Sequence, residues 1–217
     1  MTERIKFQNR TEWLAGREAI HGIGASEAAA AIGESRRKSR LDLWREKTGK
    51  KEPDDLSGIE EVQRGIRMEG AVRAVFAANH PELIVTHHPF DILFQAERPW
   101  LFATLDGETA DAGGSGEQGV LECKVVTPRN REDWKEWEDG VPGEYYRQIL
   151  HQHLATGRDR LWLAAFLFQR NGDIIYREYE FRADEGFRMD AAAVLQGEEL
   201  FQEYVAADAP PPTPIKL

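Results

Sequence analysis

The chain predicts a mixed α+β fold, a mostly antiparallel sheet flanked by helices, and three features of the sequence carry that prediction. Up to about residue 80 the apolar residues recur at helical spacing, broken by caps and glycines. Residues 83–126 then change to short β-branched and aromatic runs separated by turn residues. An amphipathic helical stretch, two more strand-like runs and a long helical pattern follow.

The elements are justified in order. A first helix is expected over 12–19. Ser26 reads as the N-cap of a second over 27–32, with Gly33 as its stop. Ser39 with Asp42 three residues on resembles a capping box, opening a short helix that Gly49 ends. The connector KKEPDDLSG reads as exposed. A longer helix carries Val62, Ile66, Val72, Val75 and Phe76 at helical spacing and closes at Pro81. Strands are expected at 83–87, 90–94, 100–108 and 119–126, the last two joined by the glycine-rich hairpin tip DAGGSGEQ. A short helix over 132–137 precedes a better one over 144–156. Strands at 161–169 and 174–181 turn at Asn171-Gly172, and a last helix spans 184–206. The expected organisation is one domain, 1–208, with 209–217 (APPPTPIKL) as a flexible or docking proline-rich tail.

Composition narrows the function classes. Hydrophobic residues at 41% and charged residues at 30% describe an ordinary globular protein. No apolar run approaches the ~20 residues of a membrane span, and the first residues lack the apolar core of a signal peptide, so a cytoplasmic location and no membrane partner are expected. The single cysteine, Cys123, excludes an internal disulfide framework and a four-cysteine zinc or iron–sulfur site. Net charge is −10, distributed as +2 over residues 1–73 and −12 over the remainder. A nucleic-acid enzyme can work with that balance if its basic residues line one surface. There is no GxxxxGK[ST] motif, so any motor would be another chain.

The chemistry-bearing residues lie in the middle of the chain. Asp106 ends an apolar strand, LFATLDG, and Glu122 and Lys124 stand two apart on GVLECKVV, hence on one face, with Cys123 and Val125 on the other. Two carboxylates held in a cleft are hard oxygen ligands for Mg²⁺ or Mn²⁺. A lysine beside them can position and polarise a water for attack on phosphorus. Taken alone, these residues are a weak signal and are better described as a turn aspartate and an exposed cross-strand ion pair. The apolar neighbours Leu121, Val125 and Val126 favour an interior strand, where a carboxylate and an amine need partners. Glu69, on the polar side of the long helix, is either a further metal-site carboxylate or a solvated helix acid. Tyr145, Gln148 and Gln152 share one helix face. That face could hold a nucleophilic water or a phosphate, or be the polar side of an amphipathic helix.

In the same order along the chain, EW…R…GIGASEAAAAIG, LDLWREKTGK, RGIRMEGAVRAVF, ATLDGE, VLECK and YYRQILHQHLATG resemble successive motifs of the YqaJ-type viral recombinases, the lambda exonuclease family, over about residues 12–168. The resemblance implies a PD-(D/E)XK, restriction-endonuclease-like core. It also implies a Mg²⁺-dependent exonuclease, Mn²⁺ substituting, that resects linear double-stranded DNA 5′→3′ from 5′-phosphate ends and leaves 3′ overhangs for phage-type recombination. By position, Asp106 and Glu122 would bind metal with the backbone carbonyl of Cys123, Glu69 joining directly or through water. Lys124 would activate the water and Gln148 would complete the site. Ser26 and Arg17 are candidates for gripping the 5′-phosphate, helped by the amides of the helix after Ser26. Arg36, Arg37 and Lys38 are candidates for DNA contact. The family also suggests a homotrimeric ring, its channel lined by the near-neutral N-terminal third and its interface drawing on exposed residues such as Trp134 and Trp137, and a single-strand annealing protein as partner. A junction-resolvase-like endonuclease of the same fold and a non-catalytic DNA-binding scaffold stand as alternatives. A Cas4-like iron–sulfur nuclease would need four cysteines.

Overall fold

The computed structural model describes residues 1–114 and 116–212. The elements run β1 (Thr2–Lys6), α1 (Arg10–Ile20), β2 (Ile23–Gly24), a 3₁₀ turn (Ala25–Glu27), α2 (Ala28–Ala31), α3 (Arg40–Lys47), α4 (Glu60–Asn79), β3 (Leu83–Thr86), β4 (Asp91–Gln95), β5 (Arg98–Ala103), β6 (Gly107–Asp111), β7 (Gln118–Val126), α5 (Arg131–Asp139), α6 (Gly143–Thr156), β8 (Arg160–Phe168), β9 (Ile174–Arg182) and α7 (Glu185–Ala206). Local chemistry explains most boundaries. Asn9, Ser39, Asn130 and Asp184 each cap a helix by accepting a backbone N–H from its first turn. No helix among the described residues is long and apolar enough to cross a membrane.

The mixed α+β class holds, but the strands form two sheets rather than one. The first has the order β1-β4-β5-β2 and the second β3-β6-β7-β8-β9. Pairing is antiparallel except for β2 with β5 and β7 with β8. The division falls inside the run read as one strand over 100–108. There the chain leaves β5 in one sheet, bends through Thr104, Leu105 and Asp106, and enters β6 in the other. Three contacts hold the bend. The Trp13 indole donates to Thr104 Oγ1 at 2.9 Å, Arg73 Nη1 donates to the Asp106 carbonyl at 2.6 Å, and Leu105 is buried in the main core.

The second sheet is packed on both faces, and its two-residue alternation decides what faces what. Leu121, Cys123, Trp162, Ala164 and Phe166 pack against Val72 and Phe76 of α4. Val120, Leu161, Leu163, Ala165 and Leu167 pack on the opposite side with Ile149 and Leu150 of α6. The expected separation of Cys123 from Glu122 and Lys124 is therefore real, and the two charged residues face α6.

Three expectations differ from the structure. β1 lacks apolar alternation because its face is almost entirely exposed; backbone pairing with β4 defines it, and Arg4 ties it to Asp91 at 2.7 Å and Glu108 at 2.6 Å. Ser26 is not an N-cap: it lies within the 3₁₀ turn capped at Gly24, whose N–H donates to Glu27 Oε2 at 2.9 Å. The helix that follows is only Ala28–Ala31, so it provides no long axis of amides behind Ser26. Trp137 is buried, which removes it as an exposed interface residue, and Trp134 is partly buried against the same core. Within the tail, Pro211 is buried, and residues 213–217 lie outside the described residues.

Candidate active site

The bend after β5 and the centre of β7 bring the predicted residues together. Pairing of β6 with β7 ends at Gly107 opposite Leu121. One residue beyond that end, Asp106 Oδ2 accepts the Cys123 N–H at 2.8 Å, taking the place of a neighbouring strand's carbonyl. Across the face, Lys124 Nζ donates to Glu122 Oε1 at 2.6 Å and to Gln148 Oε1 at 2.8 Å. Gln148 Nε2 donates to Glu122 Oε1 at 2.7 Å, and Gln152 Nε2 donates to Glu122 Oε2 at 2.5 Å. Glu122, at 3% exposure, is thus a buried carboxylate held by an ammonium and two amides. It is not the exposed cross-strand ion pair.

Charge crowding follows from this placement. Burial, then the carboxylates of Glu122 and Glu69, push the Asp106 pKa well above the ordinary aspartate value, with Lys124 and the Cys123 N–H opposing. Burial disfavours the Lys124 ammonium, but Glu122, Tyr145 and Asp106 outweigh it and the lysine pKa is raised; its Nζ lies 5.0 Å from the Tyr145 ring centroid. Burial, with Asp106 and Glu122 nearby, drives the Cys123 thiol far up and leaves it unreactive.

Glu69 reaches the same place from α4. Arg73, one helical turn on, donates to Glu69 Oε1 at 3.1 Å with the nitrogen that also contacts the Asp106 carbonyl. His87 Nε2 lies 3.9 Å from Glu69 Oε1. Among the described residues no three His, Cys, Asp or Glu side chains already stand as a metal-ligand cluster. The donor set nonetheless fits a divalent cation. Hard oxygen donors from three elements converge, and their mutual repulsion, expressed at Asp106, is the kind a cation relieves. Arg73 was not singled out from the sequence as part of the site, and Gln152 only as a member of the polar face of its helix. Their only sequence signal is a spacing of four from Glu69 and Gln148.

These groups open into a cleft of about 2290 Å³. Arg17 lines it with its guanidinium 4.7 Å from the Trp13 ring centroid and 5.5 Å from that of Phe102. A Cβ at Gly24 would come within 2.9 Å of Arg17 Nη2, so glycine permits this close approach. Arg17 has no hydrogen-bond or ion-pair partner among the described residues. Glu27, whose charge acts on it, is engaged by Lys47 at 2.7 Å. Burial lowers the Arg17 pKa and Glu27 opposes the shift. Ser26 is exposed on the same cleft. The predicted contacts Arg36, Arg37 and Lys38 also line it, but each is ion-paired, with Glu136, Glu144 and Glu46 respectively. Four exposed apolar side chains, Leu14, Leu56, Ile59 and Ile66, border the cleft as well.

The family and the fold recur among known proteins. The YqaJ-like viral recombinase domain family matches residues 12–159. The chain is similar to the uncharacterized protein YqaJ of Bacillus subtilis (strain 168), 28% identical over 210 residues, covering 91% of this chain and 62% of that protein. It therefore spans less than two thirds of that relative's length. In fold it is similar to an alkaline exonuclease (LHK-Exo) from Laribacter hongkongensis, with TM-score 0.66 and 19% identity over 92% of this chain and 94% of the other. The structure of LHK-Exo in complex with dAMP gives 0.65 and 21% over the same shares. A phage related exonuclease from Haemophilus somnus 129PT gives 0.56 and 11% over 87% and 96%.

Proposed function

Because the chain belongs to the YqaJ-like viral recombinase domain family, we propose that it is a metal-dependent deoxyribonuclease that digests linear double-stranded DNA from 5′-phosphate ends. The observation that carries this reading is the joining of Asp106, Glu122, Lys124 and Gln148 on the wall of one cleft. That pattern matches the aspartate and Glu-x-Lys of a PD-(D/E)XK centre. The fold neighbours are exonucleases, one of them in complex with dAMP, which agrees with a nucleotide phosphate seated in the cleft.

In this proposal Asp106, Glu122 and the Cys123 carbonyl hold Mg²⁺, with Mn²⁺ as a substitute and Glu69 joining directly or through water. The bound cation would supply Lewis-acid polarisation of the scissile phosphate and make water easier to deprotonate. Lys124 acts as a charged donor that orients the attacking water and stabilises negative charge developing on phosphorus. Gln148, bonded to both Lys124 and Glu122, keeps the ammonium and carboxylate in register. Arg17, with Ser26 on the same cleft, is the favoured grip for the terminal 5′-phosphate, because its guanidinium is half-buried and has no acid bonded to it among the described residues. Arg36, Arg37 and Lys38 would have to exchange carboxylates for phosphates, a weaker role. The apolar border suits contact with bases.

The test is digestion of linear duplex DNA labelled at either end, with and without Mg²⁺. Release of label from 5′-phosphate ends, dependent on Mg²⁺ and faster than from 5′-hydroxyl ends, is expected. The Arg17→Ala variant should lose most of that preference while keeping the fold. Equal digestion from 3′ and 5′ ends would overturn the polarity. Efficient cutting of closed circles would instead favour the endonuclease reading.

A homotrimeric ring around the DNA and an annealing protein as partner complete the proposal. A chain of net charge −10 is repelled by DNA at long range, so enclosure offers a way to stay on it. Sedimentation should give a mass near three times 24.7 kDa; a monomer at working concentration would remove the ring.

A further inference from the structure

Gln152 is fully buried on α6, one turn beyond Gln148, and the mechanism above assigns it no task. Its Nε2 donates to Glu122 Oε2 at 2.5 Å, while its own Oε1, equally buried, has no hydrogen-bond partner among the described residues. Leaving a buried acceptor unmet costs about 1–3 kcal/mol. An amide that bears such a cost in one orientation is there for the end that donates.

The hydrogen bonds on Glu122 show what that donation achieves. An ionised carboxylate offers about four lone-pair directions. On Glu122, Oε1 receives Lys124 at 2.6 Å and Gln148 at 2.7 Å, so both of its directions are taken. Oε2 receives Gln152 alone among the described residues. One direction on Oε2 therefore remains open, and Gln152 fixes the rotation of the group that carries it. A neutral amide does this without adding a positive charge that would compete with a cation.

We propose that Gln152 is a positioning residue that sets the Glu122 carboxylate so that Oε2 is its cation-binding oxygen. The inference rests on the metal-site reading above. Outer partners of metal ligands commonly contribute about 10–100-fold to metal affinity, and a loss of that size is expected here.

The experiment measures Mn²⁺ binding by calorimetry without DNA, on wild type, Gln152→Met and Gln152→Asn, alongside urea unfolding without metal. Methionine has similar length and no donor; asparagine keeps an amide but falls short by one methylene. Both variants should bind Mn²⁺ about 10–100-fold more weakly, and DNA cleavage should recover toward the wild-type rate as Mn²⁺ is raised. If either variant folds and binds Mn²⁺ like wild type, Gln152 does not position Glu122. If wild type itself binds no Mn²⁺, the metal site fails and the inference with it. A variant that cannot fold is replaced by the other, since asparagine preserves core polarity.

Discussion

Replacing Lys124 by methionine should lower DNA cleavage by about 10²–10³-fold, the usual loss when one preorganised donor is removed from a developing negative charge. The ammonium donates to Glu122 and Gln148 in a low-exposure site, where such a donor acts more strongly than in water. Asp106→Asn should lower activity to a similar or greater degree by removing the charge of a proposed metal ligand. Its effect on folding should run the other way. The asparagine Oδ1 can still accept the Cys123 N–H, while the crowding that raises the Asp106 pKa disappears. An aspartate with a raised native pKa makes the folded state less stable as pH rises above the unfolded value, so Asp106→Asn should resist urea at neutral pH at least as well as wild type without divalent cations. A residue chosen for reaction at the expense of folding has this signature. Rates and urea midpoints of purified variants decide the matter; a fully active Lys124→Met protein would leave the site structural.

The largest stability effect is expected away from the chemistry, at His151. Its Nδ1 lies 2.7 Å from Glu198 Oε1 and its Nε2 lies 3.0 Å from the Phe102 carbonyl, with both side chains at 0% exposure. Both neighbours accept hydrogen bonds, so with Glu198 ionised both ring nitrogens carry protons. Burial alone would lower the His151 pKa, but Glu198 and the Phe102 carbonyl outweigh it and the value is raised. The pair joins α6, α7 and β5 beneath the wall that carries Gln148, Gln152 and the Phe102 ring beside Arg17. His151→Leu leaves Glu198 buried without its partner and should cost about 3–5 kcal/mol of unfolding free energy. A raised native histidine pKa contributes stability that is fully present below the unfolded value and is lost as pH rises through the native one. Urea unfolding of wild type and variant at several pH values should therefore show a gap that is widest in mild acid and narrows toward alkaline pH. A constant gap would mean that packing, rather than charge, accounts for the loss.

The family resemblance of its motifs grouped Asp106, Glu122, Lys124, Glu69 and Gln148; by itself the sequence determined the helices with strong caps, the strands buried on both faces and the placing of Glu122 and Lys124 on one strand face. Those signals are local: a side chain one to four residues from the backbone it caps, or two residues apart on a strand, acts at a distance the chain itself fixes. The tertiary structure alone decided that residues 100–108 divide between two sheets, because Asp106 is turned by Arg73, thirty-three residues away in the chain, and by the Cys123 N–H, seventeen away. It alone placed the exposed β1 on a sheet edge, buried Trp137, and neutralised the basic run Arg36 to Lys38 with acids from three different helices. It also left Arg17 without a bonded acid, gave Gln152 to Glu122 and joined His151 to Glu198. Whether a buried polar group is satisfied depends on which distant donor or acceptor the packed chain brings within about 3 Å, and no periodicity in the sequence encodes that.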